Sequence, residues 1–112
     1  MNRRAFALVL GLGVAAFMAP RVAFAEDHLA EAIKHTKEAI EHGKMGHADV
    51  LVTHAEAGLK HAEAAEKAKA NPHTKEGITH LKAAIGEGKK KNAEAATGHA
   101  EEALTHLEAA KK

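Results

Sequence analysis

The chain contains a 45-residue unit that occurs twice without a gap. Residues 28–67 and 73–112 are identical at 19 of 40 aligned positions, and four of the identities in each copy are histidines. A repeat of this length is one supersecondary unit that cannot bury its own apolar face, so neighbouring copies must pack together. The repeat therefore predicts one domain built from two similar halves.

Within each unit the apolar residues recur every seven positions, which is typical of packed helices. The phase breaks at HGKMGH, KANPH and GEGKKKN, which carry the glycine, asparagine and proline residues expected at turns. We predict helices at roughly 27–43, 47–69, 72–86 and 92–110. Short turns make sequential helices antiparallel. The predicted fold class is all-α, an up-down-up-down antiparallel four-helix bundle of two duplicated hairpins (repeat units 28–72 and 73–112).

The charged edges of these helices are complementary. One edge of the first and third helices carries mainly lysine, and the matching edge of the second and fourth helices carries aspartate and glutamate. Antiparallel neighbours bring like positions together, so we expect the lysine edges to meet the acidic edges on one side of each helix and the histidine edges to meet on the other. The predicted core is rich in alanine, with glycines inside the helices, so we expect a marginally stable bundle that ligand binding would stabilise.

The first 25 residues have the pattern of a cleavable secretory signal. Two arginines precede an apolar run at residues 5–19, and Ala23 and Ala25 frame a cleavage site. The run is shorter than the roughly 20 residues that a membrane-spanning helix needs. The two arginines also fit a twin-arginine export signal, and the general secretory route stays open. We expect cleavage after Ala25, a periplasmic domain at 26–112, and no membrane attachment after signal removal.

Composition excludes several function classes for the predicted mature domain. It has 13 basic and 15 acidic residues and no aromatic side chain except histidine, which argues against a nucleic-acid partner. It has no cysteine, so it lacks disulfides and the Cys-x-x-Cys-His haem motif. Inward-facing Glu-x-x-His pairs of di-iron bundles are also lacking. We therefore expect no enzymatic activity.

All ten histidines fall at one heptad position, c, on the flank of the predicted bundle. Lysine or glutamate would solvate this flank with better helix propensity, whereas histidine adds a metal ligand and a proton switch. These candidate metal ligands are His28, His35, His42, His47, His54, His61, His73, His80, His99 and His106.

Residues seven apart on a helix are separated by about 10.5 Å, so two histidines of one column cannot share an ion. Each needs a second ligand from an adjacent turn or from the neighbouring helix. The adjacent turn offers a glutamate four residues before His35, His42, His80 and His106, and the same glutamates lie three residues after His28, His35, His73 and His99. Small residues beside the columns would let two helices approach. The candidate carboxylate ligands are Glu31, Glu38, Glu76 and Glu102. We predict several two- or three-ligand sites in rows.

Imidazole and carboxylate without thiolate suit Cu(II), Ni(II) and Zn(II), with Cu(II) bound most tightly. Cleavage after Ala25 would also create the terminus Glu26-Asp27-His28. A free amine with histidine at the third residue can bind Cu(II) or Ni(II) in a square plane.

The histidine register, the signal, the absence of cysteine and the alanine, glutamate and lysine heptads resemble the small metal-binding protein family. The resemblance covers residues 26–112 and implies a periplasmic four-helix bundle that binds several divalent ions, Cu(II) prominently, through the ten histidines. One departure is that Glu87 and Asn92 stand where the repeat would place the mates of His42 and His47. We expect the second hairpin to bind metal less, or differently, near its turn.

One alternative remains open from the sequence. An envelope helical bundle that binds a protein or responds to acid would use its histidines as proton switches, because they charge near pH 6.

Overall fold

The computed structural model describes residues 21–112, which form four α-helices. They are α1 (Arg21–Lys44), α2 (Ala48–Ala68), α3 (Pro72–Lys89) and α4 (Ala93–Ala110). Helices α1 and α2 form one hairpin and α3 and α4 the other, and α2 packs on α3 while α1 packs on α4. The predicted four-helix bundle of two hairpins is confirmed. Residues 1–20 of the predicted signal lie outside the described residues.

Two helix boundaries differ from the prediction. Helix α1 already includes Arg21, the first described residue, so it runs through the predicted cleavage point after Ala25. Helix α3 ends at Lys89 instead of residue 86. Gly86 and Gly88, which indicated a turn in the sequence, therefore lie within the helix. A Cβ on Gly88 would lie 2.5 Å from Val52 Cγ2, so glycine lets the last turn of α3 pack closely on α2.

Asparagines begin the two helices of the second hairpin. The Asn71 side chain accepts a hydrogen bond from the His73 backbone N–H at 2.8 Å, and Pro72 takes the first helical position, as predicted. Asn92 caps α4 by accepting from the Ala95 N–H at 3.4 Å. These caps satisfy backbone donors that have no partner inside the helix.

The core is narrow and consists largely of alanine. The largest fully buried apolar side chains are Leu51, Leu81 and Leu107. Leu51 lies beside two glycines, since its side-chain carbons are 2.6 Å from a Cβ built on Gly43 and 3.4 Å from one built on Gly88. Each buried leucine contributes about 1.5–3 kcal/mol, so these few residues supply much of the apolar stabilisation.

Lysine and glutamate edges meet as predicted, and the structure places these edges between the two hairpins. Between α1 and α4, Lys37 lies 3.8 Å from Glu108, and Lys44 lies 3.8 Å from Glu101. Exposed pairs of this kind contribute well under about 1 kcal/mol each, and their main effect is on which helices become neighbours. The α1–α2 and α3–α4 edges are thereby left to the histidines. Within residues 21–112, no helix has the length and apolar character needed to cross a membrane.

Candidate metal-binding sites

The histidines lie on the outer edges of the two hairpins. Eight are half-buried, His47 and His73 are exposed, and no histidine is part of the core. The column on α1 faces the column on α2, and the column on α3 faces the column on α4. Partners from the neighbouring helix, one of the two sources expected from the sequence, are therefore available.

The first hairpin carries a six-histidine row in which rings from α1 and α2 alternate. In spatial order the row is His28, His61, His35, His54, His42 and His47, with successive ring centroids 5.1, 5.6, 6.0, 5.3 and 6.1 Å apart. Gly58 allows this approach, because a Cβ there would lie 3.2 Å from Thr36 Oγ1 and 3.4 Å from the Ala32 carbonyl oxygen. The fully buried Ala32 and Ala39 line the same interface.

The second hairpin carries a four-histidine row. Its order is His73, His106, His80 and His99, with centroids 5.7, 5.5 and 6.0 Å apart. The row ends where Glu87 and Asn92 replace histidine, and the Asn92 Nδ2 donates a hydrogen bond to Glu87 Oε1 at 3.2 Å. A side-chain hydrogen bond between Asn92 and Glu87 thus takes the place of the His42–His47 pair of the first hairpin.

Four groups of three side chains bring ligand atoms within 4.8 Å of one another, two in each hairpin. Each group combines two histidines with one glutamate, and all four predicted glutamates take part. The groups of the first hairpin are Glu31–His35–His61 and His35–Glu38–His54; those of the second are Glu76–His80–His106 and His80–His99–Glu102.

The Glu38 group is the more compact one in the first hairpin. Glu38 Oε1 lies 3.3 Å from His35 Nδ1 and 3.2 Å from His54 Nδ1. Ligand atoms around an ion with bonds of about 2.0 Å lie roughly 3 Å apart. These three side chains therefore need little movement to hold an ion. Glu31 Oε1 is more distant, at 3.9 Å from His35 Nε2.

The second hairpin has an equivalent compact group in which the carboxylate comes from the opposite helix. Glu102 Oε1, on α4, lies 3.2 Å from His80 Nδ1 and 3.6 Å from His99 Nδ1. His80 and His99 are the repeat mates of His35 and His54. The mate of Glu38 is Ala83, and the mate of Glu102 is Ala57. The two halves thus assemble the same ligand types in two ways.

The structure selects between the two histidines that the sequence offers each glutamate on its own helix, one four residues after it and one three residues before it. The four-residue spacing holds for Glu31 with His35, which are 3.9 Å apart, and for Glu76, which is grouped with His80. Glu38 instead contacts His35 and His54, and Glu102 contacts His80 and His99. A helix places the residue three positions away on the same face as the one four positions away, so the neighbouring helix decides between them.

Four of the predicted histidine ligands belong to no three-ligand group in the described part of the chain. They are His28, His42, His47 and His73. Each lies beside another ring of its row. His28 Nδ1 is 2.9 Å from His61 Nδ1, and His73 Nδ1 is 3.4 Å from His106 Nδ1. At these positions two imidazoles lie side by side, and no carboxylate completes a three-ligand group with them.

Three of the ring nitrogens are buried without a hydrogen-bond partner: His35 Nδ1, His42 Nδ1 and His99 Nδ1. His35 Nδ1 lies 3.3 Å from Glu38 Oε1 and His99 Nδ1 lies 3.6 Å from Glu102 Oε1, but neither nitrogen forms a hydrogen bond with its carboxylate. Leaving a buried polar group unpaired costs about 1–3 kcal/mol. A bound ion would use these lone pairs, so the donor set fits a metal.

The row also favours neutral imidazole. Burial lowers the pKa of His61, and the positive charges that His28 and His35 would carry lower it further, while Glu31 acts in the opposite direction. Metal ions bind the neutral ring, since a proton and an ion compete for the same lone pair. A lowered pKa therefore keeps His61 available as a ligand.

The sharing of one histidine by two groups was not recognised from the sequence. His35 and His80 each belong to both groups of their hairpin. A signal was present for His35, which has glutamates four residues before and three residues after it. His80 has only the glutamate four residues before it, Glu76, because Ala83 stands three residues after it.

A four-helix bundle with rows of imidazoles and carboxylates on its outer edges defines a class of surface metal-binding bundles, distinct from bundles that enclose a cofactor in their core. The chain belongs to the small metal-binding protein family, whose model matches residues 3–110. The family resemblance seen in the sequence is thereby confirmed. No curated protein matches the chain.

Proposed function

We propose that this is an exported periplasmic protein that sequesters or buffers several divalent transition-metal ions without catalysing a reaction. The observation that carries the proposal is the set of four His/Glu groups with ligand atoms within 4.8 Å. Their placement on open edges suits ions that must bind and leave. Buried, enclosed sites would suit a permanent cofactor better.

The preferred ion in this proposal is Cu(II), and Ni(II) and Zn(II) bind the same sites more weakly. Imidazole and carboxylate bind all three, and the order of affinity for such donors is highest at Cu(II). Met45 is the only sulfur-containing residue after the predicted signal, and its side chain is exposed. A thioether without thiolates gives little reason to expect selectivity for Cu(I).

Export is supported by the order of basic, apolar and small residues at the start of the chain. The family match begins at residue 3, so it includes this segment as well as the bundle. Cleavage after Ala25 would remove Phe24, whose ring packs edge-on against His28. It would also give the Glu26-Asp27-His28 terminus and with it a further square-planar Cu(II) or Ni(II) site.

Mass measurement of the protein recovered from the periplasm tests both points. A mass that corresponds to residues 26–112 supports export and the terminal site. Cleavage at another position removes the terminal site but leaves export intact. Recovery of the full-length chain from the cytoplasm contradicts export.

Titration of the purified domain with Cu(II), in competition with a chelator of known affinity, tests metal binding. We expect several ions at micromolar affinity or better and their release below about pH 5, where imidazoles are protonated. Glu63, an exposed carboxylate away from the histidine rows, gives a control in Glu63→Gln, which should leave the titration unchanged. One ion or none, together with unfolding near pH 5.5, would instead favour the acid-responsive bundle.

A further inference from the structure

The two ligand groups of each hairpin have one histidine in common, His35 in the first and His80 in the second. In the first hairpin the two ring nitrogens of this residue face different groups. His35 Nε2 is turned to Glu31 at 3.9 Å, and His35 Nδ1 is turned to Glu38 at 3.3 Å. One imidazole therefore stands between two potential ion positions.

A neutral imidazole can serve only one of these positions at a time. One ring nitrogen carries a hydrogen and the other carries the lone pair that binds metal. An ion on both nitrogens would require the loss of the second ring proton as well. We propose that the two groups of each hairpin are mutually exclusive, so that the four groups hold two ions at a time, one in each hairpin. This inference rests on the proposed metal-binding function.

The carboxylate that does not bind the ion keeps a role in this arrangement. When His35 Nδ1 binds an ion with Glu38 and His54, the Nε2–H faces Glu31. When Nε2 binds the ion with Glu31, the Nδ1–H faces Glu38. A carboxylate behind a metal-bound histidine orients the ring and raises its basicity. Each glutamate thus changes between ligand and supporting partner as the ion changes position.

The compact groups, around Glu38 and Glu102, should fill first. Their oxygen-to-nitrogen distances of 3.2–3.6 Å are shorter than the 3.9 Å between Glu31 and His35. This choice also leaves the remaining rings paired. An ion at Glu38 uses His35 and His54, so His61 stays beside His28, at 2.9 Å between their Nδ1 atoms. An ion at Glu31 would take His61 away from that pair.

The second hairpin offers the cleaner test because it has four histidines. In a His73→Ala background of the whole domain, its remaining histidines are those of the two groups. Glu76→Gln, Glu102→Gln and the double variant are compared by the number of Cu(II) ions held against a chelator of fixed strength. We expect each single variant to hold as many ions as the background, because the ion uses the other group. The double variant should hold one fewer.

Glu94→Gln, an exposed carboxylate on the same helix, serves as the matched control and should change nothing. Circular dichroism checks that every variant remains helical. Independent sites would lose one ion in each single variant and two in the double variant, which would overturn the proposal. A histidine-bridged ion pair would overturn it too, by giving an extra ion together with reduced Cu(II) paramagnetic resonance intensity per ion. A background protein that binds no Cu(II) would instead contradict the proposed function itself.

Discussion

Gly46 and Lys91 occupy the same position in the turns of the two hairpins, and both have a left-handed backbone, with φ of 82° and 68°. The hydrogen bonds of the two turns also correspond. The His42 carbonyl accepts from the N–H groups of residues 45 and 47, and the Glu87 carbonyl accepts from those of residues 90 and 92. The turn geometry is therefore common to both repeats, but only the first has a glycine at its left-handed position.

We expect Lys91→Gly to stabilise the protein by about 1 kcal/mol, because a side chain in left-handed backbone is strained and glycine is not. The loss of the exposed Lys91–Asp49 pair, 3.3 Å long, should subtract only a few tenths. Chemical denaturation measures the difference. Lys91→Ala removes the same ion pair without relieving the strain, so a gain in Lys91→Ala equal to that in Lys91→Gly would contradict this explanation.

Gly43 is expected to tolerate no side chain. A Cβ there would clash with Thr97 Oγ1 and lie 2.6 Å from Leu51 Cδ1. Gly43→Ala should therefore reduce the free energy of unfolding by about 1–3 kcal/mol, as overpacked core positions do. Gly98 provides the matched control, since a Cβ there meets no atom within 4 Å. Gly98→Ala should stabilise the helix by up to about 1 kcal/mol. Equal effects of the two substitutions in thermal unfolding would refute the packing argument.

The stability of the metal-free protein should fall as the pH drops through about 6.5, the ordinary pKa of histidine. Burial and the neighbouring His28 and His35 lower the pKa of His61 in the folded state, so the unfolded chain binds this proton more tightly. The stabilisation is complete above pH 6.5 and declines below it. Urea unfolding at pH 8 and pH 5.5 measures the change.

His28→Gln should raise the pKa of His61 by removing a neighbouring positive charge, which nuclear magnetic resonance titration of the ring can follow. His47→Gln, at the opposite end of the six-histidine row, is the control and should leave that pKa where it is. A pKa of His61 at or above 6.5 in the unmodified protein would show that burial and charge repulsion do not act as described.

The carboxylate ligand of the compact group in the second hairpin, Glu102 on α4, should be replaceable by a glutamate at position 83 on α3. Glu38 serves the first hairpin from a position whose repeat mate is Ala83, which is half-buried. In a Glu76→Gln background, Glu102→Ala should weaken Cu(II) binding by about tenfold, or ~1.4 kcal/mol. Adding Ala83→Glu should restore most of the lost Cu(II) affinity. Ala57→Glu places a carboxylate in the first hairpin, which already has Glu38, and is a control that should not restore Cu(II) binding to the second hairpin. A relocated carboxylate that restores nothing would mean that the two compact groups are not equivalent.

The helix count, the pairing of helices and the flank on which the histidines lie could be predicted because they depend on periodicity. A heptad assigns each residue to a face regardless of the details of packing, so the position of His54 or His99 followed from its register alone. The ends of α1 and α3 did not follow. Gly86 and Gly88 look like turn residues in isolation, and only the contact of Gly88 with Val52 shows why α3 continues.

The exact ligand groups could not be predicted for a different reason. Glu38 can reach the histidine three residues before it or the one four residues after it, and the two are equivalent on a single helix. The choice depends on where His54 enters from α2, which is set by the stagger between the helices. That stagger depends on small residues at the interface, such as Gly58, and on side-chain rotamers that no heptad pattern specifies.

The two histidine rows lie on opposite flanks of the bundle, separated by the alanine-rich core and by the lysine–glutamate edges. The molecule is therefore two-sided, and a membrane surface or a protein that covers one flank leaves the other open to solvent. Ions on one flank can be exchanged while those on the other remain in place. Under the proposed function, one flank can therefore release its ions without emptying the other.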